Sequence, residues 1–206
     1  MPKLVDAEIR RREIAEAVFR VIRRDGLAQT SLRGVAEEAG LALGSVRHYF
    51  DNHDELIVFA MRVQVERLFI RLATHAEQLL DPAGPKDRKT RVALTEQLLG
   101  ELLPLDAERL AEAEVWLAFS AAARLRPELA AEATKVHTGT RALVRRVLTE
   151  AARGGNLIKK LDIELETERL ASLLDGLAMA ATYQPEQTTP ELMRRVLRRH
   201  LEALRR

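Results

Sequence analysis

Between Leu43 and Tyr49 the chain places a serine, an arginine and a histidine close together, Ser45, Arg47 and His48. A guanidinium can grip guanine O6 and N7 at once, while a hydroxyl or an imidazole can reach a base edge or a phosphate. Gly44, just before them, lets a backbone approach a duplex closely. Such groups read nucleic acid only when something holds them outward. The stretch 31–50, SLRGVAEEAGLALGSVRHYF, has the parts for this. Ala36 is small enough for two helices to cross at close range. Gly40 can adopt positive φ where the first helix ends, and Val46 can pin the second to a core. The stretch is therefore expected to be a helix-turn-helix, with Leu43 to Tyr49 as a recognition helix sized for the major groove. Thr30 or Ser31 should cap the first helix and offer hydroxyl and backbone N–H groups to phosphate, and Arg33 should project toward the DNA backbone or a neighbouring base.

The elements around this stretch read as helix. Hydrophobic residues make up 47% of the chain but aromatics only 4%, so alanine, leucine and valine must carry the core. No segment sustains period-two alternation, and glycine and proline fall mainly at breaks, so the expected fold class is all-α. A first helix is expected over about 6–25, with Ile14, Ala15, Val18, Phe19 and Ile22 as its buried stripe and Gly26 as its stop. Together with the helix-turn-helix it makes a three-helix head at 1–52. The remainder, 53–206, reads as a six-helix body: a long helix that begins within 51–54 and reaches about 80, then 87–102, 106–124, 128–153, 163–183 and 190–205. The break 81–85, Asp-Pro-Ala-Gly-Pro, is the clearest loop. Asp51 or Asn52 suits the cap of the fourth helix, which joins head to body without a flexible linker.

Bulk charge is uninformative. Net charge is +2, and residues 1–54 hold nine basic and nine acidic side chains, so any DNA affinity must come from where the charges sit. The absence of cysteine excludes disulfides and thiol chemistry and fits a reducing cytoplasm. No apolar run approaches the roughly 20 residues of a membrane span, and the start, MPKLVDAEIRRRE, is expected not to be a signal peptide. No membrane partner is expected.

The pattern Gly26-x-x-x-Thr30, then the helix-turn-helix, then Tyr49-Phe50 and an acid-rich start of the fourth helix resembles the TetR family of bacterial transcriptional regulators. The resemblance is carried by motifs from Glu8 to Met61 and by helix count and length beyond. It implies a homodimer on a palindromic operator of double-stranded DNA, most often as a repressor, released when a small-molecule effector binds the body and alters head spacing. Tyr49 is similar to the family's phosphate-contacting position. Two positions depart: Arg47 stands where the family often has tyrosine, implying a different base preference, and His53 stands where it often has lysine, implying a weaker phosphate partner.

Within the body, Met61, Phe69, Glu112, Trp116, Phe119, Met179 and Tyr183 are candidate effector-pocket residues. Glu112 lies one turn before Trp116, and together they could hold a cation by charge and aromatic face. The Trp116 to Phe119 region, with Arg126-Pro127-Glu128 after it, is loosely similar to the choline-responsive branch of the family, too slightly to name a ligand. Leu170, Leu173, Leu174 and Leu177 form one apolar helix face, and Met193, Val196, Leu197 and Leu201 another. These are the expected dimer interface, as a four-helix bundle of two helices per subunit. The arginines of the last segment, among them Arg194, Arg195, Arg198, Arg199, Arg205 and Arg206, read as a solvated face, and Arg10-Arg11-Arg12 as an exposed helix start.

Rival readings remain. An enzyme would need a motif that is missing: the five histidines are scattered, none has an i, i+4 histidine partner, and there is no Gly-rich phosphate loop. No cofactor and no metal are expected. A transcriptional activator of the same family, or a helical interaction protein without DNA binding, are the alternatives.

Overall fold

The computed structural model describes residues 2–81, 83–85 and 87–205, with side chains from Ala7 onward. Pro82 of the expected loop and Arg206 of the expected arginine face lie outside the described residues. Nine α-helices and no strand are present among the described residues: α1 (Pro2–Asp25), α2 (Leu32–Glu38), α3 (Leu43–Tyr49), α4 (His53–Leu80), α5 (Arg88–Gly100), α6 (Ala107–Ala123), α7 (Pro127–Arg153), α8 (Ile163–Tyr183) and α9 (Pro190–Ala203). A single 3-10 turn, Leu27–Gln29, separates α1 from α2. The all-α reading and the order of helices hold. The small shifts at the ends have local causes. Asp87 is the cap of α5, its carboxylate accepting from the Thr90 N–H, and Pro127 is the first residue of α7, where its missing N–H costs nothing.

The chain folds as two compact units, one of residues 1–67 with 114–134, the other of 68–113 with 135–206. The first contains the head. There α1 packs on α2 and α3, and α2 on α3. The α1 stripe of Ile14, Ala15, Val18, Phe19 and Ile22 is buried, as are Val35, Ala36, Val46 and Phe50. Ser31 caps α2, its hydroxyl accepting from the Gly34 N–H at 3.1 Å. At the other end of α2 the Gly40 N–H donates to the Glu37 carbonyl at 3.2 Å and the Leu41 N–H to the Ala36 carbonyl at 2.9 Å. With Gly40 at φ +66° this is a Schellman turn, which satisfies the last carbonyls of α2 and sends the chain into α3. Asn52 caps α4 by accepting from the Glu55 N–H, and the Glu55 carboxylate reaches back to the Asp51 N–H.

In the second unit, one cluster joins Leu99 and Leu103 to Val144, Leu148, Leu170, Leu174, Met193, Leu197 and Leu201, and a smaller one holds Leu72, Leu79, Leu98 and Val147. Helix α9 shows the pattern most plainly. Met193, Leu197 and Leu201 recur every fourth residue and are buried, whereas Arg194, Arg195, Arg198 and Arg199 are exposed. Arg198 grips the Glu96 carboxylate of α5 with two nitrogens, at 2.9 and 3.0 Å. Arg205 departs from this face: it is half-buried, and Leu157 bridges to it while the Ile158 N–H donates to the Leu204 carbonyl.

A Cβ added at Gly40 would meet no atom within 4 Å, so only the backbone conformation resists substitution there. Gly40→Ala is expected to destabilise the chain by about 1–2 kcal/mol. Thermal unfolding should show a fall of about 2–4 °C for each kcal/mol in a chain of this size.

Candidate nucleic-acid interface

Helix α3 is built on one anchor. Val46 is fully buried, and the residues on the opposite face, Gly44, Ser45, Arg47 and His48, are exposed. Leu43 and Tyr49 are half-buried, and the Tyr49 ring stands edge-on to His48 at 5.1 Å. Gly44 lies inside the helix, yet nothing in the chain requires a glycine there: a Cβ would meet no atom within 4 Å. Glycine is less favourable than alanine within a helix, and the space in front of Gly44, the second residue of α3, is open.

The electrostatics of the head single out one side chain. On α1 the arginines are spoken for: Arg10 pairs with Glu13, Arg12 with Glu8 and Glu66, Arg23 with Glu114, and Arg20 and Arg24 both with Glu38. The Glu38 carboxyl is held below its ordinary 4.5 by hydrogen bonds from Arg20 and then Arg24. Arg33 pairs with Glu37 one turn on. Arg47 has no ion pair or side-chain hydrogen bond among the described residues. Each exposed pair contributes little stability, but each offsets the charge an arginine presents to a partner. A chain with balanced head charge therefore offers an unpaired guanidinium on the outer face of α3.

Other positions are placed differently from the sequence expectation. Thr30 is buried, and both its donors are used internally: the hydroxyl donates to the Gly26 carbonyl at 3.1 Å and the N–H to Leu27. Ser31, not Thr30, is the exposed cap whose hydroxyl proton remains available. His53 is half-buried, its Nδ1 3.5 Å from Asp54 and its Nε2 shielded without a partner. Arg11 is no exposed charge. Its guanidinium lies 4.7 Å from the Phe50 ring centre and 4.5 Å from that of Phe59, and it donates to Glu55 at 3.1 Å. The sequence carried a hint, since Arg11 stands three residues before Ile14 on the buried stripe.

The seven body residues read as effector pocket belong to both units. Met61 and Phe119 are fully buried and Trp116 half-buried in the first unit. In the second unit Phe69 packs with the Leu72 and Leu79 cluster and leans on Gly139, where a Cβ would come within 3.0 Å of its ring. Glu112 already holds a cation: Arg71 donates to its two oxygens at 3.0 and 2.6 Å and to Glu101 at 3.1 Å. Burial works against the Arg71 charge, but hydrogen bonds and charge from Glu112 and Glu101 overcome it and raise its pKa. Met179 and Tyr183 are 50% and 65% exposed.

The expected dimer residues divide as well. Leu170, Leu174, Met193, Leu197 and Leu201 belong to the subunit's own core: α9 packs on α8 and α5, and the five side chains share one cluster with Leu99, Leu103, Val144 and Leu148. Leu173, Leu177 and Val196 are half-buried. The outward stripe of α8 is instead Leu165, Ser172, Gly176, Met179 and Tyr183, all exposed.

Fold and site together define a DNA-binding regulator of the helix-turn-helix class. Residues 91–206 match the family described as BetI-type transcriptional repressor, C-terminal, and residues 14–58 match the bacterial regulatory proteins of the tetR family. The HTH-type transcriptional regulator PksA of Bacillus subtilis is 37% identical over 204 residues, covering 99% of this chain and 94% of its own. The BetI regulator of Paraburkholderia xenovorans is 29% identical over 181 residues, 86% of this chain and 84% of its own. Among solved structures, a transcriptional regulator from Rhodococcus sp. Rha1 superposes with a TM-score of 0.79 at 29% identity, covering 94% and 95% of the two chains. A regulator from Saccharomonospora viridis, solved with choline, matches at 0.80 and 22% identity over 95% and 96%, a likeness of fold. The chain belongs to the TetR family and is a transcriptional regulator.

Because Gly44 has open space in front of it, Gly44→Ala is expected to stabilise the protein by about 0.5–1 kcal/mol. Urea unfolding of the full chain checks this; a loss of stability would mean that the glycine serves the fold.

Proposed function

We propose that the chain is a repressor that works in the bacterial cytoplasm, at the nucleoid, and binds a palindromic operator as a homodimer until a small-molecule effector releases it. The head at 1–52 makes the DNA contacts, and the rest of the chain carries effector binding and dimerisation. The observation that carries this reading is the unpaired Arg47 on the exposed part of α3, with Gly44, Ser45 and His48, while Val46 alone is buried as the anchor. Arg47 takes a guanine edge. Ser45 and His48 take a base edge or phosphate, and Leu43 and Tyr49 flank the groove. Ser31 holds a phosphate at the start of α2, with Arg33 beside it. The internal bonds of Thr30 and the shielded ring of His53 support leaving both outside the first contacts.

The dimer half of the proposal rests on the outer stripe of α8. Leu165, Met179 and Tyr183 are exposed apolar side chains on one helix face, and a methyl group added at Gly176 between them would meet no atom within 4 Å. Apolar area of this kind is covered in stable proteins, and a two-fold axis lets the same stripe meet itself. Half-buried Leu173, Leu177 and Val196 flank the contact.

Operator binding is tested on genomic fragments retained by the purified protein. Affinity should fall steeply as salt rises, because phosphate contacts release counterions. Arg47→Ala should lose about 1–3 kcal/mol of discrimination at one base position of each half-site; a titration on operator variants that shows uniform weakening would assign Arg47 to the phosphates instead. For the dimer, Met179→Arg should shift sedimentation toward monomer at micromolar concentration, whereas the neighbouring Glu168→Arg should not give a fully monomeric species. A Met179→Arg protein that sediments as the parent does would move the interface elsewhere.

A further inference from the structure

At the end of the second unit, where the last turns of α4, α7 and α9 meet the first turns of α5, there is a cavity of about 70 Å³. A single water needs about 10–15 Å³ of such space, so the cavity has room for a short aliphatic chain. None of the residues read from the sequence as effector pocket lines it. Its walls are aliphatic, chiefly Leu79, Val92, Val147, Leu148, Leu157 and Leu201. One side is closed by the chain's own C-terminal residues, held by the Leu157–Arg205 bridge and the Ile158 N–H to Leu204 carbonyl bond.

The polar lining is strongly one-signed. Arg88, Arg91 and Arg205 line the cavity with a single carboxylate, Glu150, and that carboxylate already accepts from Arg153 at 2.6 Å. Arg91 and Arg205 are half-buried, and neither side chain has a hydrogen bond or ion pair among the described residues. A guanidinium withdrawn from water without a counter-charge is unfavourable, and the group that best satisfies its planar fork is a carboxylate. Apolar walls and an unmet anion preference together describe an amphiphile.

We propose that this cavity binds a short-chain carboxylate, its head taken by Arg91 and Arg205 and its tail lying among Leu79, Val147, Leu148 and Leu201. The inference does not depend on operator binding, and it is tested on the protein alone, without DNA.

The probes are hexanoate, hexanol and hexylammonium, titrated into the full chain by calorimetry. Hexanoate should bind saturably, one per chain, at least about tenfold tighter than hexanol, with no binding of hexylammonium. Arg91→Gln and Arg205→Gln should each weaken hexanoate about tenfold and leave hexanol unchanged. Val92→Trp, which fills the cavity, should abolish both, provided circular dichroism shows it folded; the two arginine variants decide the matter if it is not. Equal affinity for hexanoate and hexanol, hexanoate binding unchanged in both arginine variants, or no saturation up to about 10 mM would each overturn the proposal.

Discussion

Between α2 and α3 the chain reverses on one residue in the left-handed region, and the rest of the head is arranged around that reversal. Gly40 at φ +66° lets its own N–H and that of Leu41 close back onto α2. The direction of α3 follows, and with it which of its faces Val46 buries. A residue with a Cβ would strain this turn even though no neighbour stands in the way. Ala36, on the same turn of α2, is buried beneath it and accepts the Leu41 N–H, so close crossing and turn closure involve one residue. The exit is fixed as firmly as the entrance. Phe50 is buried just past α3, and Arg11 covers it, clamped between two rings and Glu55.

The parts of this structure that were legible in the sequence are those decided within one or two turns of helix. Caps are local, so Ser31 and Asn52 could be read from residue type and position, and Asp87, Asp162 and Thr189 follow the same rule. The stripe of α9 was legible because it has one apolar face and one arginine face. What could not be read depends on partners far along the chain. Glu112 looks like a ligand carboxylate until Arg71, 41 residues earlier, is seen to occupy it. Arg11 looks solvated until Glu55 arrives from 44 residues away. Thr30 belongs to both kinds: its side chain has the right chemistry for phosphate, but the 3-10 turn at Leu27–Gln29 folds its hydroxyl inward onto Gly26.

Helix α8 shows why apolar residues alone do not locate an interface. It carries leucine or methionine on more than one side, and periodicity cannot say which side the subunit keeps. The structure decides by packing: Leu170 and Leu174 join the buried cluster of Leu99, Val144, Leu148, Met193 and Leu197, which leaves Leu165, Met179 and Tyr183 exposed. The same helix can therefore serve the core and a partner, with the division set by α9 rather than by its own sequence.

Charge works in the head by subtraction. Equal numbers of acids and bases would make a poor nucleic-acid surface if they were spread evenly, but α1 uses its arginines on glutamates of α1, α2, α4 and α6. Exposed pairs of this sort add little to stability. Their effect is to offset the positive charge of α1's paired arginines, whereas Arg47 on the outer face of α3 has no ion pair among the described residues. Non-specific attraction to phosphate scales with the number of free cations, whereas discrimination between bases needs only one well-placed fork. On the proposed reading, a head with balanced charge and one unpaired arginine on the exposed face of α3 gives up sequence-independent affinity and keeps a group able to distinguish one site from another. For a regulator that must find few sites among many, that division of charge favours selectivity.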